Sequence, residues 1–250
     1  MKQKISLVMF DMSGTTIKDY NEVLECFLEA STLTGINTNS EIINSMMGWS
    51  KIDVFRSLWV NQMPDADQEE IEIQAQKSFQ LFKQILEHWY AKHTIEPAEG
   101  ALETFRWLRQ NDVKIALCTG FYRKVADILL EKLGWMDGLD ANYVNTGSSV
   151  IDFSISSDQV EHGRPAPDMI FAAMKVFGIT DPREVIKIGD TPSDLQEGRN
   201  AGCFKSLGVT NGTHTENQLS QHLNDGLLSG LQVLPTFIKH NSFVEMSNIE

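Results

Sequence analysis

Residues 5–16 read ISLVMFDMSGTT, and this stretch decides the fold. Its first half is a short apolar run that ends at Asp11, as expected for a central parallel strand that is buried on both faces. Similar apolar runs return later in the chain, and stretches with the apolar spacing of a helix stand between them. The runs are Val113–Cys118, Val185–Ile188 and Lys205–Val209, and the helical stretches are Gly100–Gln110, Tyr122–Leu133, Asp168–Phe177 and Ser193–Ala201. Strands that alternate with helices in this way indicate an α/β fold with a doubly wound parallel sheet.

The alternation stops between the first and second strands, where the pattern favours helices only. These helical stretches are Glu22–Ala30, Ser40–Met46, Lys51–Val60 and Asp67–Tyr90. An all-helical insertion at this point lies above the carboxyl ends of the strands, where α/β sheets bind their ligands. The sequence therefore predicts an α/β core of residues 1–17 and 97–239, a helical cap domain of residues 18–96, and a C-terminal tail of residues 240–250 that frays.

Composition bounds the class of protein. A chain of 250 residues with 42% hydrophobic residues can bury a sizeable core. The net charge of −13 argues against nucleic acid and anionic membranes as partners, since both attract basic faces. No apolar run approaches the roughly 20 residues that span a bilayer. The three scattered cysteines, Cys26, Cys118 and Cys203, exclude a cysteine-based zinc site and suit a reducing, cytoplasmic location.

Two segments place carboxylates directly after predicted strands. In Asp11-Met12-Ser13-Gly14-Thr15-Thr16, the carboxylate can attack an electrophile while turn amides hold its oxyanion, although an Asx turn is the plainer interpretation. In Gly189-Asp190-Thr191-Pro192-Ser193-Asp194, two carboxylates come together in one turn, which favours a hard cation such as Mg²⁺. Helix capping explains one of these two aspartates, but less readily both.

Two further segments supply groups that bind anions. Thr119-Gly120 offers a hydroxyl and a free amide to phosphoryl oxygens, although Thr-Gly is also ordinary turn chemistry. Arg164, in Gly163-Arg164-Pro165-Ala166-Pro167-Asp168, can clamp an oxyanion bidentately, or be a surface residue in a proline-rich turn. His214, in a later loop, could contribute to the site, although a solvated loop residue is the plainer interpretation.

In this order the four segments resemble the haloacid dehalogenase (HAD) superfamily, whose pattern is Asp-x-x-x-Thr, then Thr or Ser, then a basic residue, then Gly-Asp-x-x-x-Asp. The resemblance implies a Rossmann-like core and a magnesium-dependent hydrolase that forms an aspartyl-phosphate. It makes Asp11 the nucleophile, and Thr119 and Arg164 the residues that orient the phosphoryl group. The implied metal site is Asp11, the Ser13 carbonyl, Asp190 and Asp194, and the implied substrate-binding residues are Ser13, Gly14, Thr15 and Gly120.

The cap segment adds a finer resemblance. Phosphatases of the superfamily carry a second Asp two residues after the nucleophile as the general acid, and here that position is Ser13. Met47-Gly48-Trp49-Ser50-Lys51-Ile52-Asp53 resembles the cap segment of phosphonoacetaldehyde hydrolase (phosphonatase), whose lysine forms a Schiff base with its aldehyde substrate. That family also has a small residue in place of the acid, and an Arg within Gly-Arg-Pro. Lys51 is therefore a candidate catalytic residue, or else an ordinary exposed lysine on a helix.

Two positions depart from the phosphonatase pattern: Val54 replaces a histidine, and Phe121 replaces a tyrosine. The leading hypothesis is a phosphonatase-like hydrolase that cleaves the C–P bond of a small phosphonate such as phosphonoacetaldehyde. One alternative is a phosphate monoesterase that acts on phosphoglycolate or a sugar phosphate, and another is a non-catalytic module that binds a phosphorylated ligand. The apolar cap residues Phe55, Leu58 and Trp59 either permit a homodimer through the cap or form its core.

Overall fold

The computed structural model describes residues 3–243 of the chain. Its strands are β1 (Gln3–Lys4), β2 (Leu7–Asp11), β3 (Lys114–Thr119), β4 (Phe153–Ser156), β5 (Val185–Gly189), β6 (Lys205–Val209), β7 (Leu227–Leu228) and β8 (Ser242–Phe243). Its α-helices are α1 (Glu22–Thr34), α2 (Ser40–Asn44), α3 (Lys51–Gln62), α4 (Gln68–Lys92), α5 (Ala101–Gln110), α6 (Arg123–Lys132), α7 (Asp168–Phe177), α8 (Pro192–Ala201), α9 (Glu216–Leu219) and α10 (Leu234–Asn241).

Six strands form one parallel sheet in the order β4-β3-β2-β5-β6-β7. Strand β2 lies between β3 and β5, so the chain winds outward from β2 in both directions, and the predicted doubly wound sheet is confirmed. Alternate residues of β2 face two apolar layers, with Leu7 and Met9 on one side and Val8 and Phe10 on the other. The change of winding direction beside β2 opens a crevice at the strand ends, where such sheets bind ligands.

The predicted strands and helices of the core appear within a few residues of their expected bounds. The pattern missed β4 and β7, because Phe153–Ser156 alternates serine with apolar residues and β7 is only two residues long. The prediction of a fraying tail was wrong for residues 240–243, since α10 extends to Asn241 and Ser242–Phe243 pairs with Gln3–Lys4. The rest of the predicted tail lies outside the described residues.

The segment between β2 and β3 contains α1 to α4 before α5 begins the return to the sheet. Its interior is aromatic: the Phe27 and Phe82 rings stack with centroids 4.3 Å apart, and Phe55 packs against both. Phe55, Leu58 and Trp59 are buried in the chain itself, so of their two interpretations the cap core is correct. A homodimer through another part of the cap stays a prediction.

Two adjacent linkers join this segment, which we call the cap (residues 18–96), to the sheet. Ile17 pairs with Pro97, and the Lys18 amide donates to the Glu96 carbonyl at 3.0 Å. The predicted domain boundaries fall at this pair of linkers. We propose that the two linkers form the hinge between the cap and the core. Among residues 3–243, no helix combines the length and the apolarity that crossing a membrane requires.

Candidate active site

The carboxylates of Asp11 and Asp190 meet at the crevice beside β2. Asp11 is the last residue of β2, and Asp190 directly follows the neighbouring strand β5. Parallel strands end at the same edge of a sheet, so residues separated by 179 positions come together, and a carboxylate oxygen from each lies within 4.8 Å of one from the other and from Asp194. All three side chains are buried. The sequence-based grouping of these aspartates therefore corresponds to one real cluster.

Gly14 and Thr15 hold Asp190 in place. The Thr15 hydroxyl donates to Asp190 Oδ1 at 3.1 Å, and the Gly14 amide is bonded to the Ile17 carbonyl. Gly14 has a φ of +83°, and a Cβ at this position would collide with the Asp190 carboxylate, so only glycine fits. Neither residue lines the cavity described below. We therefore propose that they position Asp190, in place of the substrate contact expected from the sequence.

Arg164 connects the nucleophile candidate to the rest of the cluster. Its side chain is fully buried, so the interpretation as a surface residue was wrong. Its Nη1 lies 2.6 Å from Asp11 Oδ1 and 2.9 Å from Asp194 Oδ1, and its Nη2 donates to the Cys118 carbonyl at 2.9 Å. A guanidinium in this position fixes the orientation of the Asp11 carboxylate and offsets part of the negative charge of the cluster.

Lys187 and Glu197 complete the charged network, and sequence reasoning missed both. Lys187 Nζ donates to Asp194 Oδ1 at 2.6 Å and lies 3.4 Å from Glu197 Oε2. Burial alone would lower the pKa of Lys187, but Asp194, Cys118 and Glu197 together outweigh it and raise that pKa. The available signal was a lone lysine inside the apolar strand Val185–Gly189, because a charge buried on both faces of a sheet needs partners.

The acidic cluster suits a divalent cation. Burial raises the pKa of Asp11 to about 7 and that of Asp190 to about 6, and repulsion from Asp194 adds to both. Buried carboxylates with raised pKa values are short of positive charge, and a hard cation with oxygen ligands supplies it. Asp194 differs, because burial is outweighed by Arg164 and Lys187, which lower its pKa to about 2. Its oxygens are already engaged by Lys187, Arg164 and Thr191.

The cap closes over this cluster through the loop between α2 and α3. Gly48 has a φ of +86°, and a Cβ there would collide with the Thr191 hydroxyl. A Cβ on Gly120 would collide with the backbone carbonyls of Gly48 and Trp49. Glycine at both positions thus lets cap and core backbones approach, and this brings Lys51, three residues after Gly48, over the strand ends.

Lys51 enters the cavity from the cap. It begins α3, and only 6% of the residue is exposed, so the exposed-lysine interpretation was wrong. The cavity is lined by Asp11, Ser13, Asp19, Asn21, Val23, Leu24, Met47, Gly48, Lys51, Thr119, Gly120, Phe121, Arg164, Thr191 and Thr213. Burial lowers the pKa of Lys51 to about 8, although Asp11 opposes the shift. An amine of this kind is a nucleophile near neutral pH.

The two departures from the phosphonatase pattern have different surroundings. The Phe121 ring lines the cavity with its centroid 5.0 Å from Lys51 Nζ, whereas Val54 is buried and does not line the cavity. Thr119 lines the cavity, and its hydroxyl oxygen accepts a hydrogen bond from the Phe121 amide at 3.1 Å. The prediction for His214 was wrong: it is buried, and its Nδ1 has no hydrogen-bond partner among the described residues.

The sheet carries a nucleophile candidate at the end of its first long strand and a second aspartate after the neighbouring strand. This arrangement defines a class of α/β hydrolase. A family model described as haloacid dehalogenase-like hydrolase matches residues 5–202. The chain therefore belongs to the haloacid dehalogenase-like hydrolase family and is a hydrolase. Within that family it falls in the phosphonoacetaldehyde hydrolase-like branch.

Two relatives support this branch. The chain is 31% identical over 252 residues to a phosphonoacetaldehyde hydrolase of Bacillus thuringiensis (strain Al Hakam), and the match covers 97% of this chain and 89% of the relative. It is 32% identical over 220 residues to a phosphonoacetaldehyde hydrolase of Bacillus anthracis, across 84% of this chain and 77% of the relative.

Solved structures show the same fold. A hydrolase from Pseudomonas syringae superposes with a TM-score of 0.78 at 22% identity, over 96% of this chain and all of that one. A phosphonoacetaldehyde hydrolase-like protein from Oleispira antarctica gives a TM-score of 0.74 at 18% identity, over 94% of this chain and 92% of that one. At these identities the likeness concerns the fold alone.

Proposed function

We propose that this protein hydrolyses the C–P bond of a small phosphonate aldehyde such as phosphonoacetaldehyde. One observation carries the proposal: Lys51, on the cap, and Asp11, on the sheet, line the same cavity. A phosphate ester needs a nucleophile and a general acid, but its cleavage does not require a nucleophilic amine. A phosphonate aldehyde needs the amine, because carbon leaves phosphorus poorly unless its electron pair has an acceptor.

Lys51 supplies that acceptor by forming an imine. With its pKa lowered to about 8, roughly one tenth of the amine is neutral at pH 7, about 300-fold more than for a lysine of ordinary pKa. The neutral amine adds to the aldehyde carbon, and loss of water gives an iminium β to the C–P bond. The iminium then accepts the electron pair of that bond as the bond breaks, and the carbon portion leaves as an enamine.

Asp11 accepts the phosphoryl group. Its carboxylate oxygen attacks phosphorus in line with the departing carbon, while Arg164 and Thr119 bind the phosphoryl oxygens. Because the leaving enamine needs no proton on oxygen, Ser13 is adequate where a phosphatase needs an acid. Water then hydrolyses the aspartyl-phosphate. The enamine is protonated on carbon to an iminium, and a second water hydrolyses this iminium to acetaldehyde and the free Lys51 amine.

Mg²⁺ is the cation that we propose for the acidic cluster, with Asp11, Asp190 and the Ser13 carbonyl as its ligands and Asp194 beside them. A bound divalent cation would offset the repulsion between an anionic nucleophile and an anionic substrate, an effect on the order of several kcal/mol. Asp194 contributes negative charge and anchors Arg164 and Lys187.

We also propose a cytoplasmic location, because Cys26, Cys118 and Cys203 are all unpaired thiols.

The test compares phosphate release from phosphonoacetaldehyde and from phosphoglycolate, with and without Mg²⁺, in wild type and two lysine variants. Lys51→Arg keeps a cation in the cavity but cannot form the imine, whereas Lys83→Arg alters a cap lysine that does not line the cavity. We expect Mg²⁺-dependent release from the phosphonate that Lys51→Arg abolishes and Lys83→Arg preserves. Faster turnover of the ester, unaffected by Lys51→Arg, would establish a phosphate monoesterase instead. No turnover of either compound would favour a binding module.

A further inference from the structure

Asp19 is the one titratable residue of the cavity that the proposed steps do not use. Among the residues that line the cavity, four carry titratable side chains: Asp11, Asp19, Lys51 and Arg164. Asp11, Lys51 and Arg164 each have a role in the proposed reaction. Asp19 lies in the linker between β2 and α1, at the entrance to the cap, where its Oδ1 accepts from the Asn21 amide at 2.9 Å.

Asp19 has a buried acidic neighbour, Glu22. Glu22, at the start of α1, is only 2% exposed, and its oxygens accept hydrogen bonds from the Tyr90 hydroxyl and the Tyr20 amide, both at 2.8 Å. Within residues 3–243, neither carboxylate forms an ion pair with a lysine, arginine or histidine. Burial and the neighbouring Glu22 raise the pKa of Asp19 to about 6. A carboxylate with a pKa in this range can both accept and donate a proton near neutral pH.

Imine formation needs a group of this kind. When the Lys51 amine adds to the aldehyde carbon, the new N–C bond leaves a proton on nitrogen, and the oxygen must depart as water. That proton has to move from nitrogen to oxygen. Ser13, Val54 and Phe121 cannot carry it, because none of their side chains titrates near neutral pH.

We propose that Asp19 is the acid–base residue for the organic part of the substrate. The assignment deepens the proposed function and rests on it. The Asp19 carboxylate first takes the proton that the Lys51 ammonium loses and gives it to the carbonyl oxygen as the amine adds. It then takes a proton from the nitrogen of the adduct and gives it to the hydroxyl, which leaves as water when the C=N bond forms. The proton count is balanced, and Asp19 ends as it began. Thr213, which donates to Asp19 at 3.4 Å, holds the carboxylate toward the cavity.

The experiment measures the rate at which borohydride and phosphonoacetaldehyde modify Lys51, in the full-length protein with Mg²⁺. Asp19→Asn is compared with Glu25→Gln, which alters an exposed carboxylate on α1, the helix that follows the linker of Asp19. We expect Asp19→Asn to slow trapping about 100-fold or more, the lower range for a general acid–base residue, while Glu25→Gln is unchanged. Added formate should restore trapping to Asp19→Ala, because a small carboxylate can occupy the vacated space.

Wild-type trapping in Asp19→Asn, or a folded Asp19→Ala that formate does not rescue, would overturn the assignment. If wild type is never trapped at Lys51, the proposed C–P chemistry fails. The role of Asp19 is then tested by the hydrolysis rates of two phosphate esters. An acid for the leaving group must matter for phosphoglycolate, whose alkoxide needs a proton, and not for p-nitrophenyl phosphate, whose phenolate does not. Selective slowing of phosphoglycolate in Asp19→Asn would support the role of Asp19, and equal effects on both esters would contradict it.

Discussion

Lys51 Nζ lies 5.0 Å from the centroid of the Phe121 ring, so the amine of the cap faces an aromatic wall of the core. The ring excludes water from one side of the amine, and exclusion of water disfavours its charged form. This contact between cap and core exists because glycines at 48 and 120 allow the two backbones to approach. The reactivity that we propose for Lys51 therefore depends on this contact between cap and core.

The first prediction concerns pH. Because burial lowers the pKa of Lys51 to about 8, its amine becomes neutral as the pH rises through that value. We expect kcat/KM for phosphonoacetaldehyde to increase with pH up to about 8 and to change less above it. Turnover of p-nitrophenyl phosphate, which does not need the amine, should lack this rise. A phosphonate profile that is flat from pH 6.5 to 9 would show that Lys51 does not act as a neutral nucleophile.

The second prediction concerns a substitution at Ser13 that should shift the preference of the enzyme from C–P bonds to phosphate esters. Ser13 lines the cavity two residues after Asp11, where a general acid would reach the leaving group. Ser13→Asp should raise the hydrolysis of alkyl phosphates such as phosphoglycolate by about 10- to 100-fold, the range of a modest general acid. It should also slow the phosphonate, since a second carboxylate repels the substrate. Ser13→Asn, of similar size but unable to donate a proton to an alkoxide, is the matched control and should produce no gain on esters.

The third prediction concerns stability. Lys187 Nζ is fully buried between Asp194 and Glu197, so Lys187→Met leaves these acids with Arg164 alone. Breaking a buried pair in this way costs about 3–5 kcal/mol in the free energy of unfolding, which denaturant titration measures. Lys124→Met removes a mostly exposed lysine paired with Glu87 and should cost less than about 1 kcal/mol. Equal losses for the two variants would mean that the buried network contributes no more than a surface pair.

The residues that end strands were predictable from the sequence. Asp11, Thr119 and Asp190 each follow or close an apolar run, and the topology of a doubly wound sheet brings such positions together. Lys51 was predictable only through its resemblance to the phosphonatase segment, because helical spacing alone makes it an exposed residue. The structure adds that its amine is buried in the cavity of Asp11.

Other parts of the site depend on long-range packing that no local pattern encodes. Glu22 opens a helix, where an acidic residue is expected to interact with the helix dipole and stay solvated. Its burial arises from Tyr90, which lies 68 residues away on another helix. His214 was likewise taken for a solvated residue, because nothing in its loop shows that the cap covers it.

The most direct test of the central claim is the mass of the Lys51 peptide after borohydride reduction in the presence of phosphonoacetaldehyde and Mg²⁺. Wild type should carry an ethyl group on Lys51, because the C–P bond breaks while the imine is in place. Asp11→Asn should carry a phosphonoethyl group, because the imine forms but phosphorus has no acceptor. An unmodified Lys51 in wild type, under conditions in which phosphate is released, would contradict the joint action of Lys51 and Asp11.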